Sequence, residues 1–178
     1  YDVVNRLQTI TDNAYAPAKV VAYAYDNVGN RISVTTPEFT VFSYVYDAAD
    51  RLDLVKRGAL TEADYNYDAA GRRIRLTLGN GAFAIYGYDK ANRITDVISR
   101  TSTNTILSSF VYTLDRAGNR TRVLQRLRMP AGNLVEATLR YRYDELNRLI
   151  QERRTGSGHY QNDWTYDKVG NRLTQTHK

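Results

Sequence analysis

The sequence predicts an all-β fold of tandem antiparallel β-hairpins, and three observations carry that prediction. A Tyr-Asp phrase returns seven times in 178 residues, with an eighth, degenerate copy. Strict alternation with aromatic and β-branched residues flanks it, which is strand patterning. No segment shows a convincing apolar period of the helical kind, so helices have no amphipathic face to build on.

The phrase has a longer form, "YDNVGNR" from Tyr25, "YDAAGRR" from Tyr67 and "YDKVGNR" from Tyr166. It has a shorter form, "YDVVNRL" from Tyr1, "YDAADRL" from Tyr46, "YDKANRI" from Tyr88 and "YDELNRL" from Tyr143. The sixth copy, "YTLDRAGNR" from Tyr112, carries Leu114 where the others have Tyr. Aligned on their aspartates (Asp2, Asp26, Asp47, Asp68, Asp89, Asp115, Asp144, Asp167), the copies are 24, 21, 21, 21, 26, 29 and 23 residues apart. A core period of 21 residues is interrupted only between motifs, as expected for a repeat whose variable segments are loops.

Each element of the repeat follows from its residues. Ahead of the Asp, pairs such as Tyr44 and Tyr46, Tyr65 and Tyr67, Tyr86 and Tyr88, and Tyr141 and Tyr143 occupy alternate positions, so both rings share one face of a strand. Trp164 takes the first place of such a pair before Tyr166. The Asp then opens a tight turn, because its carboxylate can accept N–H bonds two residues on. Gly29, Gly71, Gly118, Gly170 or an Asn closes the turn, in a left-handed conformation that these residues tolerate. Alternation resumes after the turn, as in Arg73-Ile74-Arg75-Leu76. The remaining segments at 78–82, 100–108, 128–134 and 154–162 are rich in Gly, Ser, Thr and Asn and read as connections that tolerate insertion. The whole predicts fourteen to sixteen short strands in one array of about eight hairpins over residues 1–178.

Short and long forms alternate without a break, so the unit can also be read as a pair of hairpins of 42 residues or more. A four-bladed β-propeller is therefore the alternative architecture. An open sheet that curls is preferred, since more than about ten twisted strands do not stay flat.

Composition narrows the function classes. There is no cysteine, which removes disulfides, thiolate metal sites and cysteine nucleophiles. His159 and His177 stand apart from any cluster of carboxylates. No apolar run approaches the roughly 18–20 residues of a membrane-spanning helix. No cofactor is expected. The chain begins inside a motif copy without an initiator Met, so it is expected to be a piece of a longer polypeptide.

The motifs "YDNVGNRI", "YDAAGRRI", "YDELNRLI" and "YDKVGNRL" resemble the YD repeats of the Rhs family. That family includes Rhs polymorphic toxins, shell proteins of insecticidal toxin complexes, and teneurins, and the resemblance covers essentially the whole chain. It implies a strip of hairpins that spirals into a hollow shell. It also implies a secreted or surface-exported bacterial parent whose shell encloses and helps deliver a C-terminal toxin domain. The partners so implied are the remainder of the same shell and the enclosed toxin. The Asp-Pro cleavage site of that family has no counterpart, for Pro17, Pro37 and Pro130 do not follow Asp.

The repeated residues then read as architecture rather than chemistry. They are Tyr25, Asp26, Gly29 and Arg31; Tyr46, Asp47 and Arg51; Tyr67, Asp68, Gly71 and Arg73; Tyr88, Asp89 and Arg93; Asp115, Gly118 and Arg120; Tyr143, Asp144 and Arg148; and Tyr166, Asp167, Gly170 and Arg172. The tyrosines are expected to stack in ladders across strands. Each Asp is expected to meet its motif Arg across the neck of the hairpin. Eight equivalent aspartates single out no pair for acid–base work, so the chain reads as non-enzymatic.

Residues 116–154 hold ten Arg against four acidic residues, whereas the rest of the chain balances. Arg122, Arg126, Arg128, Arg140 and Arg142 are the candidate basic face. Acidic neighbours in the wall are the favoured partner. Carbohydrate or another cell-surface ligand is the alternative function, nucleic acid is disfavoured, and open sheet edges invite self-association.

Overall fold

A computed structural model describes residues 1–178. Fifteen β-strands and no helix make up the secondary structure. The chain divides into two compact units, Tyr1–Gly81 and Ala82–Lys178.

The first unit holds β1 (Thr9–Asp12), β2 (Lys19–Tyr25), β3 (Arg31–Thr35), β4 (Val41–Tyr46), β5 (Leu52–Arg57), β6 (Leu60–Tyr67) and β7 (Arg73–Leu78). Every strand pairs antiparallel with the next in the chain, from β1 through β7. The second unit holds β8 (Phe83–Tyr88), β9 (Ile94–Arg100), β10 (Ile106–Leu114), β11 (Arg120–Arg128), β12 (Leu134–Tyr143), β13 (Leu149–Gly156), β14 (Tyr160–Tyr166) and β15 (Arg172–His177). There too each strand lies against its chain neighbour.

The unbroken pairing corrects the propeller alternative. A propeller blade ends after its fourth strand, whereas pairing here runs through seven successive strands in one unit and eight in the other. The cause is local. Both kinds of connection are tight hairpin loops, so each strand is returned beside the one before it and no loop carries the chain to a new sheet. Three of the variable loops even repeat the hydrogen bonding of the motif turn. In 36–40, 101–105 and 129–133 the first residue's N–H bonds to the fifth carbonyl, and the fourth N–H returns to the first carbonyl. Phe39, Asn104 and Gly132 at the fourth place are left-handed.

Seven of the eight motif turns, all but the first, are followed by the same β-bulge. Tyr25 pairs with Arg31 while Ala24 pairs with Ser33, which leaves Ile32 unopposed. The same slip follows the turn at Asp53, Ile74, Thr95, Thr121, Ile150 and Leu173. A bulge bends its strand and raises the local right-handed twist, so these seven hairpins are bent at the same point.

Each unit is a single layer. The buried apolar side chains are Ala63, Val123, Ala137 and Leu139, and no side chain is completely enclosed. Sheets usually bury one face against a second layer. With so little buried apolar area, cohesion has to come from neighbouring strands and from the bonds that tie successive turns together.

Candidate functional site

The motif turns all have one length. In the shorter copies, Asp47 N–H bonds to the Arg51 carbonyl and Asp50 N–H returns to the Asp47 carbonyl, at 2.9 and 3.0 Å. In the longer copies, Asp26 N–H bonds to the Asn30 carbonyl and Gly29 N–H to the Asp26 carbonyl, at 2.9 and 3.3 Å. The two forms therefore differ by substitution and not by insertion. The fourth residue is Asn or Asp in one form and Gly in the other, left-handed in both, as at Asn147 (φ 59°) and Gly170 (φ 99°). The fifth residue is Arg in the short form and Asn, or Arg72, in the long form.

The aspartate holds the turn from inside. Asp144 Oδ1 accepts the N–H groups of Leu146 and Arg148 at 3.0 and 2.9 Å. Its Oδ2 takes Arg148 Nε at 2.6 Å. Arg6, Arg51, Arg72 and Arg93 close their turns in the same way. In the other three long turns the fifth residue is the amide of Asn30, Asn119 or Asn171, bonded to Oδ2 at 3.0–3.1 Å. This corrects the expectation that every motif Arg meets its own Asp. Arg31, Arg73, Arg120 and Arg172 lie one position further on and open the next strand. There Arg31, Arg73 and Arg120 place their guanidinium groups over the rings of Tyr44, Tyr65 and Tyr112.

All eight motif aspartates are held below the ordinary carboxylate range. At Asp2, Asp68, Asp89 and Asp144 the main cause is the N–H of the fifth turn residue. At Asp47 it is the Arg51 side chain. The Asn119 and Asn171 side chains act first on Asp115 and Asp167. Desolvation opposes the lowering at Asp26 and is outweighed by the bonds from Asn30, Gly29 and Val28.

Successive turns are also tied to each other. Arg6 Nη1 reaches forward to the carbonyl of Asp26 at 2.9 Å, and its guanidinium lies 4.8 Å from the centre of the Tyr25 ring. Arg148 does the same to Asp167 and Tyr166, at 2.9 and 4.8 Å. Arg93 makes the carbonyl bond to Asp115, also at 2.9 Å, and Arg51 covers the ring of Tyr67 at 4.5 Å. In the other direction, the Tyr25, Tyr67 and Tyr166 hydroxyls donate to the Leu7, Leu52 and Leu149 carbonyls at 2.7–2.9 Å. From long turn to short, Tyr46 and Tyr143 donate to the Arg31 and Arg120 carbonyls, at 3.0 Å in both cases. Asn30 and Asn119 reach Asp50 and Asn147 at 3.1 and 2.7 Å. The rings of Tyr25, Tyr44, Tyr67, Tyr112 and Tyr166 thus face guanidinium groups, where ring-on-ring ladders were expected. Arginine over tyrosine is a cation–π contact, and in this sheet the short-form Arg lies between one turn and the next.

The candidate basic residues divide into two sets. Arg126 forms an ion pair with Glu136 at 2.7 Å. Arg128 bonds to the carbonyls of Ile106 and Gly132, at 2.7 and 2.5 Å. Arg122, Arg140 and Arg142 are exposed and have no such partner. Register adds Arg153, which the sequence reading missed: Arg122 pairs with Arg140, and Arg140 with Arg153. No three His, Asp or Glu side chains gather in a geometry that would hold a metal ion.

The comparisons with known proteins agree with this geometry. The chain resembles the TcdB2–TccC3 crystal structure at 20% identity and a TM-score of 0.77, over 90% of this chain and 9% of that one. A Photorhabdus luminescens Tc holotoxin pore matches at 20% identity and a TM-score of 0.76, over 92% of this chain and 9% of that one. TcdB2–TccC3 without its hypervariable C-terminal region matches at 16% identity and a TM-score of 0.57, covering 89% and 10%. The chain thus spans about a tenth of the proteins it resembles, and the likeness is one of fold. No curated protein matches. The Teneurin YD-shell family model matches residues 1–133, the stretch that contains the first six motif turns, and the chain belongs to that family.

Proposed function

We propose that this chain is a non-enzymatic section of a YD-repeat shell wall whose parent, a secreted or surface-exported bacterial protein, encloses and helps deliver a C-terminal toxin domain. One observation carries the reading: the recurring chemistry of the repeat is directed at its own turn and at the neighbouring copies. Asp closes its own turn, the short-form Arg reaches the next Asp carbonyl, and Tyr reaches back to the preceding strand. Such bonds propagate a sheet and leave no group poised on a substrate. The family match and the Tc toxin neighbours support the same reading.

A wall section has sheet edges that other strands can extend. The test is small-angle scattering over a concentration series. A compact chain of this length has a radius of gyration of about 16 Å. A larger value that rises with concentration is expected, and T174K/T176K on β15 should suppress the rise by charging that strand. A compact value at every concentration, together with glycan-array binding lost on Tyr-to-Ala changes, would replace the wall reading with an adhesion module.

A further inference from the structure

The second unit carries a charge imbalance that its own contacts leave uncompensated. Ala82–Lys178 holds sixteen basic and nine acidic residues, against nine and ten in Tyr1–Gly81. The surplus is concentrated on one face of β11, β12 and β13. Arg122, Arg140 and Arg153 are directly opposite one another across three strands. Arg142 follows Arg140 by two residues and pairs with Gln151, so it shares that face. Together with Gln151 these arginines line a shallow groove of about 400 Å³.

No carboxylate of the unit forms an ion pair with them. Glu136, on the same face, is taken by Arg126. Asp163 receives Gln151, Gln161 and Lys178. Glu152 lies on the opposite face, bonded to the Tyr160 hydroxyl at 2.5 Å. Like charges directly opposite on a sheet are destabilising, so this row lowers the stability of the free chain. An anionic partner would remove that cost.

The face also indicates which anion. Register puts Tyr141, Tyr143, Tyr160, Trp164 and Tyr166 on the other side of the sheet. On the arginine side the neighbours on β11 to β14 include Leu124, Thr138, Thr155, Gln161, Asp163 and Thr165, with no aromatic ring. Single-stranded nucleic acid uses rings for base stacking, and the one aromatic residue lining the groove, Tyr141, holds a strand position that faces the other side. Carboxylates need only the planar fork of arginine, which binds them in bidentate fashion. In an extended peptide, alternate side chains lie about 6.7 Å apart, the same step that separates Arg140 from Arg142 along β12.

We infer that Arg122, Arg140, Arg142 and Arg153 form a docking face for an extended acidic polypeptide segment whose carboxylates recur at every second residue. The inference goes beyond the wall reading and does not depend on it, since a free module could use the same face.

The experiment is fluorescence anisotropy on the whole chain with a labelled peptide of alternating Glu and Ser. Binding should weaken as salt is raised. Arg140→Gln should reduce affinity about tenfold, the scale of one charged hydrogen bond. Arg153→Gln, at the other end of the row, gives an independent variant. Arg116→Gln, in the turn after Asp115, should leave affinity unchanged. Circular dichroism should show both face variants folded and melting no lower than the unaltered chain, because like-charge repulsion is relieved. Absence of peptide binding at low salt would overturn the assignment, as would equal losses in all three variants. Tighter binding of a single-stranded oligonucleotide or a sulfated glycan than of the peptide would overturn it as well. Failure here leaves the scattering result for the wall intact, so the two readings fail separately.

Discussion

Arginine is used in opposite ways on the turn edge and on the face of β11 to β13. On the turn edge, Arg148 meets the Asp144 carboxylate, the Asp167 carbonyl and the Tyr166 ring together. On the face, Arg140 has Arg122 on one side and Arg153 on the other. At the turns the repeat supplies every partner, because a carboxylate precedes the guanidinium by four residues and a carbonyl and a ring follow in the next copy. On the face no repeat operates and the partners are missing. The repeat therefore serves the integrity of the sheet, and departures from it are where interactions with something else are to be sought.

Acid should break the comparison most strongly. All eight motif aspartates have lowered pKa values in the folded chain. Their contribution is complete above the unfolded value of about 3.9 and is lost as pH falls through the lower folded values. Urea midpoints should therefore drop as pH falls below about 4. At the other end, burial first and then the Glu152 charge push Tyr141 up to about 12. Its contribution is present below the unfolded value of about 10 and fades as pH rises toward 12, which an alkaline melting series would detect.

Single substitutions give the next effects. Asp144→Ala removes the acceptor of two N–H groups and strands Arg148, so a lower urea midpoint is expected, the largest drop among these substitutions. Tyr67→Phe loses the 2.7 Å bond to the Leu52 carbonyl, a cost of about 1 kcal/mol on the same measurement. Leu114→Tyr makes the opposite test. Leu114 occupies the position from which motif tyrosines donate to the preceding strand, and restoring the hydroxyl should stabilise by about 0.5–1 kcal/mol. The smallest effect belongs to the face: Arg122→Thr should raise stability by about 0.2–1 kcal/mol, through removal of a like-charge pair.

Much of the site was legible in the residues because the turns are local. Asp and the left-handed fourth residue act within five positions of each other, so "DAAGR" and "DELNR" read directly as loops. The equal length of the two forms was not legible. On paper the extra Gly looks like an insertion, whereas in space the Arg has moved from the fifth turn position to the first strand position. The destination of each side chain was hidden for the same reason. Arg6 and Asp26 are twenty residues apart in the chain, and only strand pairing brings them together.

By itself the sequence determined the strand class, the turns and the repeat, since alternation, Asp and left-handed Asn or Gly encode short-range geometry. Tertiary structure decided which arginines are satisfied. Arg126 and Arg122 are four residues apart on one strand and look equivalent as text. Register gives Glu136 to the first and Arg140 to the second. Charge on a sheet is compensated across strands, and which residues stand opposite is a property of pairing that no single strand contains.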